Sequence, residues 1–148
     1  MTLLTLRMMR RGMMSKYRVP SEKSKYYIPK EDYLTAIHYS LRYPLLKQEV
    51  EDMANTARAI VYDKDKVQTS GDYDSTYEAA VRIQEKQHKI QLIDETIEQV
   101  AGDLADYLRK GVCYGLTFDQ LKGKGMPCED KKYYTMRRHY YYELSKKI

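Results

Sequence analysis

Ile83, Ile90, Ile97 and Leu104 fall seven residues apart, and Ile93, Val100 and Tyr107 repeat that spacing three positions further on. A seven-residue repeat with a second apolar position inside it keeps one stripe of a helix apolar over many turns. Thr76, Ala79 and Lys86 occupy the earliest positions of the same repeat and are weaker members, so the clean portion runs from Ile90 to Tyr107. The spacing predicts a long helix that buries its stripe in one of two ways. It packs as a core helix on the rest of the chain, or it forms a homodimer through Ile90, Ile93, Ile97, Val100 and Leu104.

The rest of the chain suits the same class. Its 148 residues are enough for one core, and only seven Gly and four Pro interrupt a sequence that is 32% charged, a balance that favours helices over sheet. The expectation is an all-α protein. Pro29 or Lys30 opens a helix with Tyr33, Leu34, Ile37 and Leu41 at three- and four-residue intervals, ending near Tyr43. Pro44 then starts a second helix with Leu45, Leu46, Val50, Met53, Ala57 and Ile60 as its stripe, and the two are expected to form a hairpin. A polar loop near residues 62–75 follows, with Ser75 as the cap of the long helix. Gly111 and Gly115 are expected to end that helix. The division is therefore a basic flexible arm over 1–29, a helical or oligomerising region over 30–110, and a C-terminal unit over 111–148.

Charge is unevenly placed. Residues 1–29 carry seven Lys/Arg against one Glu, residues 30–108 nine against sixteen Asp/Glu, and residues 109–148 ten against four. Basic ends around an acidic middle suggest that an end meets a polyanion while the middle folds or pairs with protein. Cys113 and Cys128 have neither CxxC spacing nor a neighbouring His, which fits a reduced, cytoplasmic setting better than a disulfide framework or zinc site. No apolar run reaches the roughly 18 residues of a membrane helix. The first residues lack a signal-peptide layout, since Arg7, Arg10 and Arg11 follow their apolar residues. The string Arg10-Arg11-Gly12-Met13-Met14 also suggests translation from Met13 or Met14, because Arg-Arg can be encoded by a ribosome-binding sequence. His38, His88 and His139 share no motif, and no GxSxG, Walker A or HExxH pattern occurs. Neither an enzyme, a metal nor a cofactor is expected.

The C-terminal unit carries the sharpest pattern. Thr117-Phe118-Asp119-Gln120 has capping-box form, predicting a short helix to about Lys122 or Lys124. Gly123 to Pro127 is a turn, and Glu129-Asp130 begins a helix running towards Ile148. At 100° per residue, Tyr133, Met136, Tyr140, Leu144 and Ile148 share one face, expected to pack on Leu116, Phe118 and Leu121. The opposite face holds Lys131, Lys132, Thr135, Arg138, His139, Tyr142 and Lys146. Cations, a hydroxyl and an aromatic on the second helix of a helix-turn-helix are suited to phosphates and base edges in a major groove.

Leu116-Thr117-Phe118-Asp119-Gln120-Leu121, Gly125-Met126-Pro127 and Arg137-Arg138-His139-Tyr140-Tyr141-Tyr142-Glu143-Leu144 resemble the helix-turn-helix of phage-encoded transcriptional regulators of the ArpU/RinA type, related in shape to sigma-factor region 4. Tyr43-Pro44-Leu45-Leu46-Lys47-Gln48-Glu49-Val50 resembles an N-terminal element of that family. The resemblance implies a phage or prophage regulator that binds double-stranded DNA in a bacterial host cell and works with host RNA polymerase. The segment from Arg10 to Lys25 would add phosphate contacts, and a dimer would read half-sites about 34 Å apart. The alternative is a phage inhibitor of the anti-CRISPR kind, acting on a nuclease effector, or a small packaging protein. In that reading Asp63, Asp65, Asp72 and Asp74 meet a basic partner.

Overall fold

The computed structural model describes residues 19–64 and 72–148, with side chains over 19–56 and 77–148. Six α-helices and one 3-10 turn make up the regular structure among those residues: α1 (Lys30–Leu41), α2 (Tyr43–Lys64), α3 (Asp72–Ala101), the 3-10 turn Gly102–Leu104, α4 (Ala105–Tyr114), α5 (Phe118–Gly123) and α6 (Asp130–Lys147). The class is all-α, with α3 as the long helix the heptads require. None of these helices is long and apolar enough to cross a membrane. The expected start at Met13 or Met14, and the arm before Val19, lie outside the described residues, as do the loop acids' side chains.

Helix α1 begins at Pro29, with Glu31 and Asp32 in its first turn facing the positive end of the helix dipole. It buries Tyr33, Ala36, Ile37 and Ser40. Pro44 has no N–H to give to Ser40, so the helix breaks at Arg42 and restarts one residue later. A one-residue joint leaves no room for the expected hairpin turn. The antiparallel pair is α2 with α3: the Tyr43 hydroxyl donates to Asp94 Oδ1 at 2.9 Å, while further along α2 Glu49 pairs with Lys86. Of the stripe expected on α2, Leu46 is buried, Val50 and Met53 are half-buried, and Leu45 is 54% exposed. The loop near 62–75 is shorter than expected, because α2 continues to Lys64 and α3 starts at Asp72. Ser75 thus lies inside α3 and does not cap it.

The two halves of α3 differ. Residues 77–89 include none that is buried, whereas Ile93, Thr96 and Ile97 are completely enclosed. The heptad seam is therefore used within the chain: Ile93 and Ile97 belong to the same core cluster as Tyr33, Leu108, Leu121 and Tyr140, with Ile90, Val100 and Leu104 packed at its edge. That removes Ile93 and Ile97 from the homodimer seam considered above. Nor does the helix run through to residue 110. Gly102 takes φ +53°, a left-handed conformation that stops α3 and turns the chain into α4.

Helix α4 buries Leu108, Val112 and Cys113 and ends at Gly115, whose φ is +73°. Gly111 does not break it. A Cβ at Gly111 would overlap the Tyr133 hydroxyl, so this glycine serves the close approach of α4 and α6. Asp94 fastens three helices together, accepting from Tyr43 of α2 and from Arg109 Nε of α4 at 2.9 Å. The capping box forms as expected, with Gln120 N donating to Thr117 Oγ1 at 3.3 Å and Thr117 N to Gln120 Oε1 at 2.9 Å. The turn after α5 tucks Met126 and Cys128 into the core.

Candidate nucleic-acid interface

Helix α6 occupies the centre of the molecule. Tyr133, Met136, Tyr140 and Leu144 point inward as their spacing predicts, but Tyr141 is buried as well and Ile148 is 43% exposed. The reason is that α6 packs chiefly against α3 and α1, not mainly against the segment from Leu116 to Leu121. On the α1 side the Tyr33 and Tyr141 rings meet edge to face, 5.3 Å apart, and the Tyr140 hydroxyl shares a 2.7 Å hydrogen bond with Ser40. Contact with α5 is made by Phe118, whose ring lies 5.8 Å from Tyr133 and 6.0 Å from Tyr134.

The seven residues expected at the interface divide into two groups. Lys131, Lys132 and Thr135 are exposed, and Arg138 is half-buried with its Nη2 donating to Thr135 Oγ1 at 3.2 Å. Together they form an open cationic ridge along the first half of α6. His139, Tyr142 and Lys146 belong to a cluster closed by the chain before α1. The Tyr26 ring stacks on His139 with centroids 4.5 Å apart and planes 17° from parallel, and lies 5.7 Å from Tyr142. Lys146 Nζ sits 4.0 Å over the Tyr142 ring, and Glu143 approaches both His139 (3.5 Å) and Lys146 (3.8 Å). His139 and Tyr142 are therefore half-buried, whereas Lys146 remains exposed.

The arm also departs from expectation. Residues 19–29 form turns in which Ser24 N donates to Ser21 O at 2.8 Å and Tyr27 N to Ser24 O at 3.2 Å. Pro20 and Ile28 are buried, so this part of the arm is a strap packed on the bundle. Val19, Tyr26 and Ile28 are its anchors, and a polar, proline-bracketed composition gave no periodic signal of them.

A concavity lies on either side of the ridge. One, of about 690 Å³, is bounded by Tyr26, Asp103, Leu104, Pro127, Lys132 and His139. The other, of about 990 Å³, runs beneath the strap between α1 and the α4–α5 junction, with Arg137 and Arg138 along one wall. Arg137 was not among the expected residues. Its signal is position: it stands four residues from both Tyr133 and Tyr141, a cation within a tyrosine strip. Its guanidinium lies 4.9 Å over the Tyr134 ring.

Nucleophilic chemistry has little to work with. Cys113 and Cys128 are free and buried, and burial pushes the Cys113 thiol up to about 12, where it holds its proton at neutral pH. Groups of three or more His, Cys, Asp or Glu able to hold a metal do not occur among the described residues. No family model, curated protein or solved structure matches this chain.

Proposed function

We propose that the chain is a DNA-binding transcriptional regulator of phage or prophage type, acting in the bacterial cytoplasm through the first half of α6. The observation that carries this reading is the ridge itself: Lys131, Lys132 and Thr135 stand exposed at the start of the second helix of a helix-turn-helix outline. Base contacts of such units come from the N-terminal residues of that helix. Lys131 and Lys132 neutralise phosphates, while Arg138, oriented by Thr135, reaches a base edge or the next phosphate. The basic N-terminal stretch adds counterion release. Host RNA polymerase is the partner of an activator of this kind.

The test is an electrophoretic mobility shift against duplexes from the gene's own neighbourhood, at two salt concentrations and with excess nonspecific competitor. A competitor-resistant band is expected, weakened at least about tenfold by K131E/K132E and with a shallower salt dependence. A variant that binds as well as wild type overturns the assignment.

A second reading draws on how deeply α6 is packed. A helix held on two sides by α1 and α3, with its C-terminal half under Tyr26, favours recognition of protein over insertion into a groove. The chain would then be an inhibitor of a nuclease effector or a packaging subunit, and the mobility shift would show only salt-labile, sequence-independent binding.

A further inference from the structure

Arg137 presents an electrostatic problem that the bundle does not solve. A guanidinium stays charged at every physiological pH, and removing one from water is unfavourable unless an anion accompanies it. Arg137 is half-buried: its Nε is enclosed without a hydrogen-bond partner among the described residues, and the side chain lines the cavity beneath the strap. Its neighbours three and four positions away on α6 are Tyr133, Tyr134, Tyr140 and Tyr141, none of them acidic. Arg138 beside it has a neutral partner, Thr135 Oγ1. Neither arginine forms an ion pair with a described carboxylate.

The chain's own candidates for the missing countercharge are few. Among the described residues, Asp130 is the one acid on the wall of the 990 Å³ cavity, and its Oδ1 already accepts from Lys131 N at 2.8 Å. Residues 1–18 contain no Asp or Glu, so the chain leading into the strap brings no carboxylate to the cavity. With Lys131, the wall therefore carries three cations against one engaged acid. The positive field reaches the opposite wall: burial pushes the ionisation of Tyr33 and Tyr141 to higher pH, and Arg137 opposes that shift at both.

The walls also indicate what accompanies the charge. Tyr33, Phe118, Tyr134 and Tyr141 line the cavity together with Ile37 and Leu116, and its volume lies at the upper end of the range for pockets that take organic ligands. Such walls suit a planar ring, whose burial would add to the anion's contacts with the guanidinium fork. The strap residues Val19, Pro20, Ser21 and Ser24 roof the space. That roof admits a small molecule and excludes a duplex roughly 20 Å wide, given the groove dimensions of B-DNA.

We propose that Arg137 and Arg138 form, beneath the strap, a binding site for a small organic anion in which a phosphate or carboxylate is joined to a planar ring. The ligand's oxygens meet the outer nitrogens of Arg137, with Arg138 as the second donor, and the ring lies against the aromatic wall formed by Tyr33, Phe118, Tyr134 and Tyr141. The site shares Arg138 and the edge of Lys131 with the DNA reading but requires neither Lys132 nor the open side of the ridge, so substitutions at Arg137 and at Lys132 separate the two.

Adenosine 5′-monophosphate is a suitable probe, measured by calorimetry and thermal shift on the full chain beside inorganic phosphate, adenosine and a short DNA duplex. Saturable binding of the nucleotide is expected, with phosphate weaker and adenosine undetected. R137M should lose at least about tenfold in affinity. It should keep close to wild-type stability without ligand, because it replaces a half-buried cation that forms no ion pair with an apolar side chain of similar length. R137K, which keeps the charge but not the fork, should weaken binding by a smaller factor and covers the case in which R137M does not fold. The proposal is overturned if the nucleotide produces no shift at millimolar concentration, if adenosine matches it, or if both variants bind like wild type. It is also overturned if the duplex displaces the nucleotide through Arg137, since the anion served would then be a DNA phosphate.

Discussion

The two halves of α3 are one helix with two kinds of neighbour. From Ile90 onward its apolar stripe is packed by α4 and α6, and Ile93 and Ile97 are 0% exposed. Over residues 77–89 the same repeat continues through Ile83 and Lys86, yet its only helical companion is α2 and no residue there is buried. A repeat specifies that a stripe is apolar; how many elements converge on the stripe decides what it contributes. Stability should therefore be concentrated at one end of the molecule.

Alkaline pH offers the largest way to test that contrast. Tyr33, Tyr133, Tyr140 and Tyr141 all line the packed end, and burial moves the ionisation of each to higher pH. These acids stay protonated in the folded chain and ionise in the unfolded one once pH passes about 10. Their contribution is thus complete below that value and is lost as pH rises through it. A phenol that stays protonated in the folded chain withdraws at most about 1 kcal/mol between pH 10 and 11, and the four act in the same direction. The denaturant midpoint should fall steeply over that interval while helicity persists at pH 9. A midpoint unchanged at pH 11 would mean that the tyrosines ionise in place.

Substitution at matched heptad positions tests the contrast next. Ile97→Ala should destabilise by about 2–5 kcal/mol, the usual range for emptying a closed core position. Ile83→Ala, two repeats earlier and half-buried, should cost about 1 kcal/mol or less. Equal losses in urea unfolding would abolish the distinction between the halves. The smallest effect belongs to the Lys86–Glu49 pair, whose side chains are 26% and 34% exposed. A double-mutant cycle should give a coupling of roughly 0–1 kcal/mol that diminishes in salt.

Much of this architecture was legible from local chemistry. The capping box at Thr117, the glycine stop at Gly115 and the inward face of α6 through Leu144 depend on neighbours within a few residues, and each formed as its spacing predicts. The misreadings arose where distant segments decide. Gly111 was taken as a helix breaker although its purpose is to admit a ring from α6, a partner 22 positions away. The heptad could not reveal whether its partner was another copy or the chain's own α4 and α6. The cationic face read from a helical wheel was correct for Lys131, Lys132 and Thr135, but the wheel knows nothing of Tyr26, which closes over His139. Arg137 lay on the border between faces, and only the packing of α1 against Tyr141 turned that border into a cavity wall.

The notch at Gly111 has a further consequence for orientation. Tyr133 lodges its buried phenol end there, so the fit between ring and notch holds it. It works as a key in a keyway. Successive residues on a helix point about 100° apart, and a rotation of α6 by that angle would drive the ring into the α4 backbone. The notch therefore fixes the azimuth of α6, and with it the assignment of Lys131 and Lys132 to one side and Arg137 to the other. A position that contributes no side chain at all sets the compass bearing of every charge on the helix that faces it.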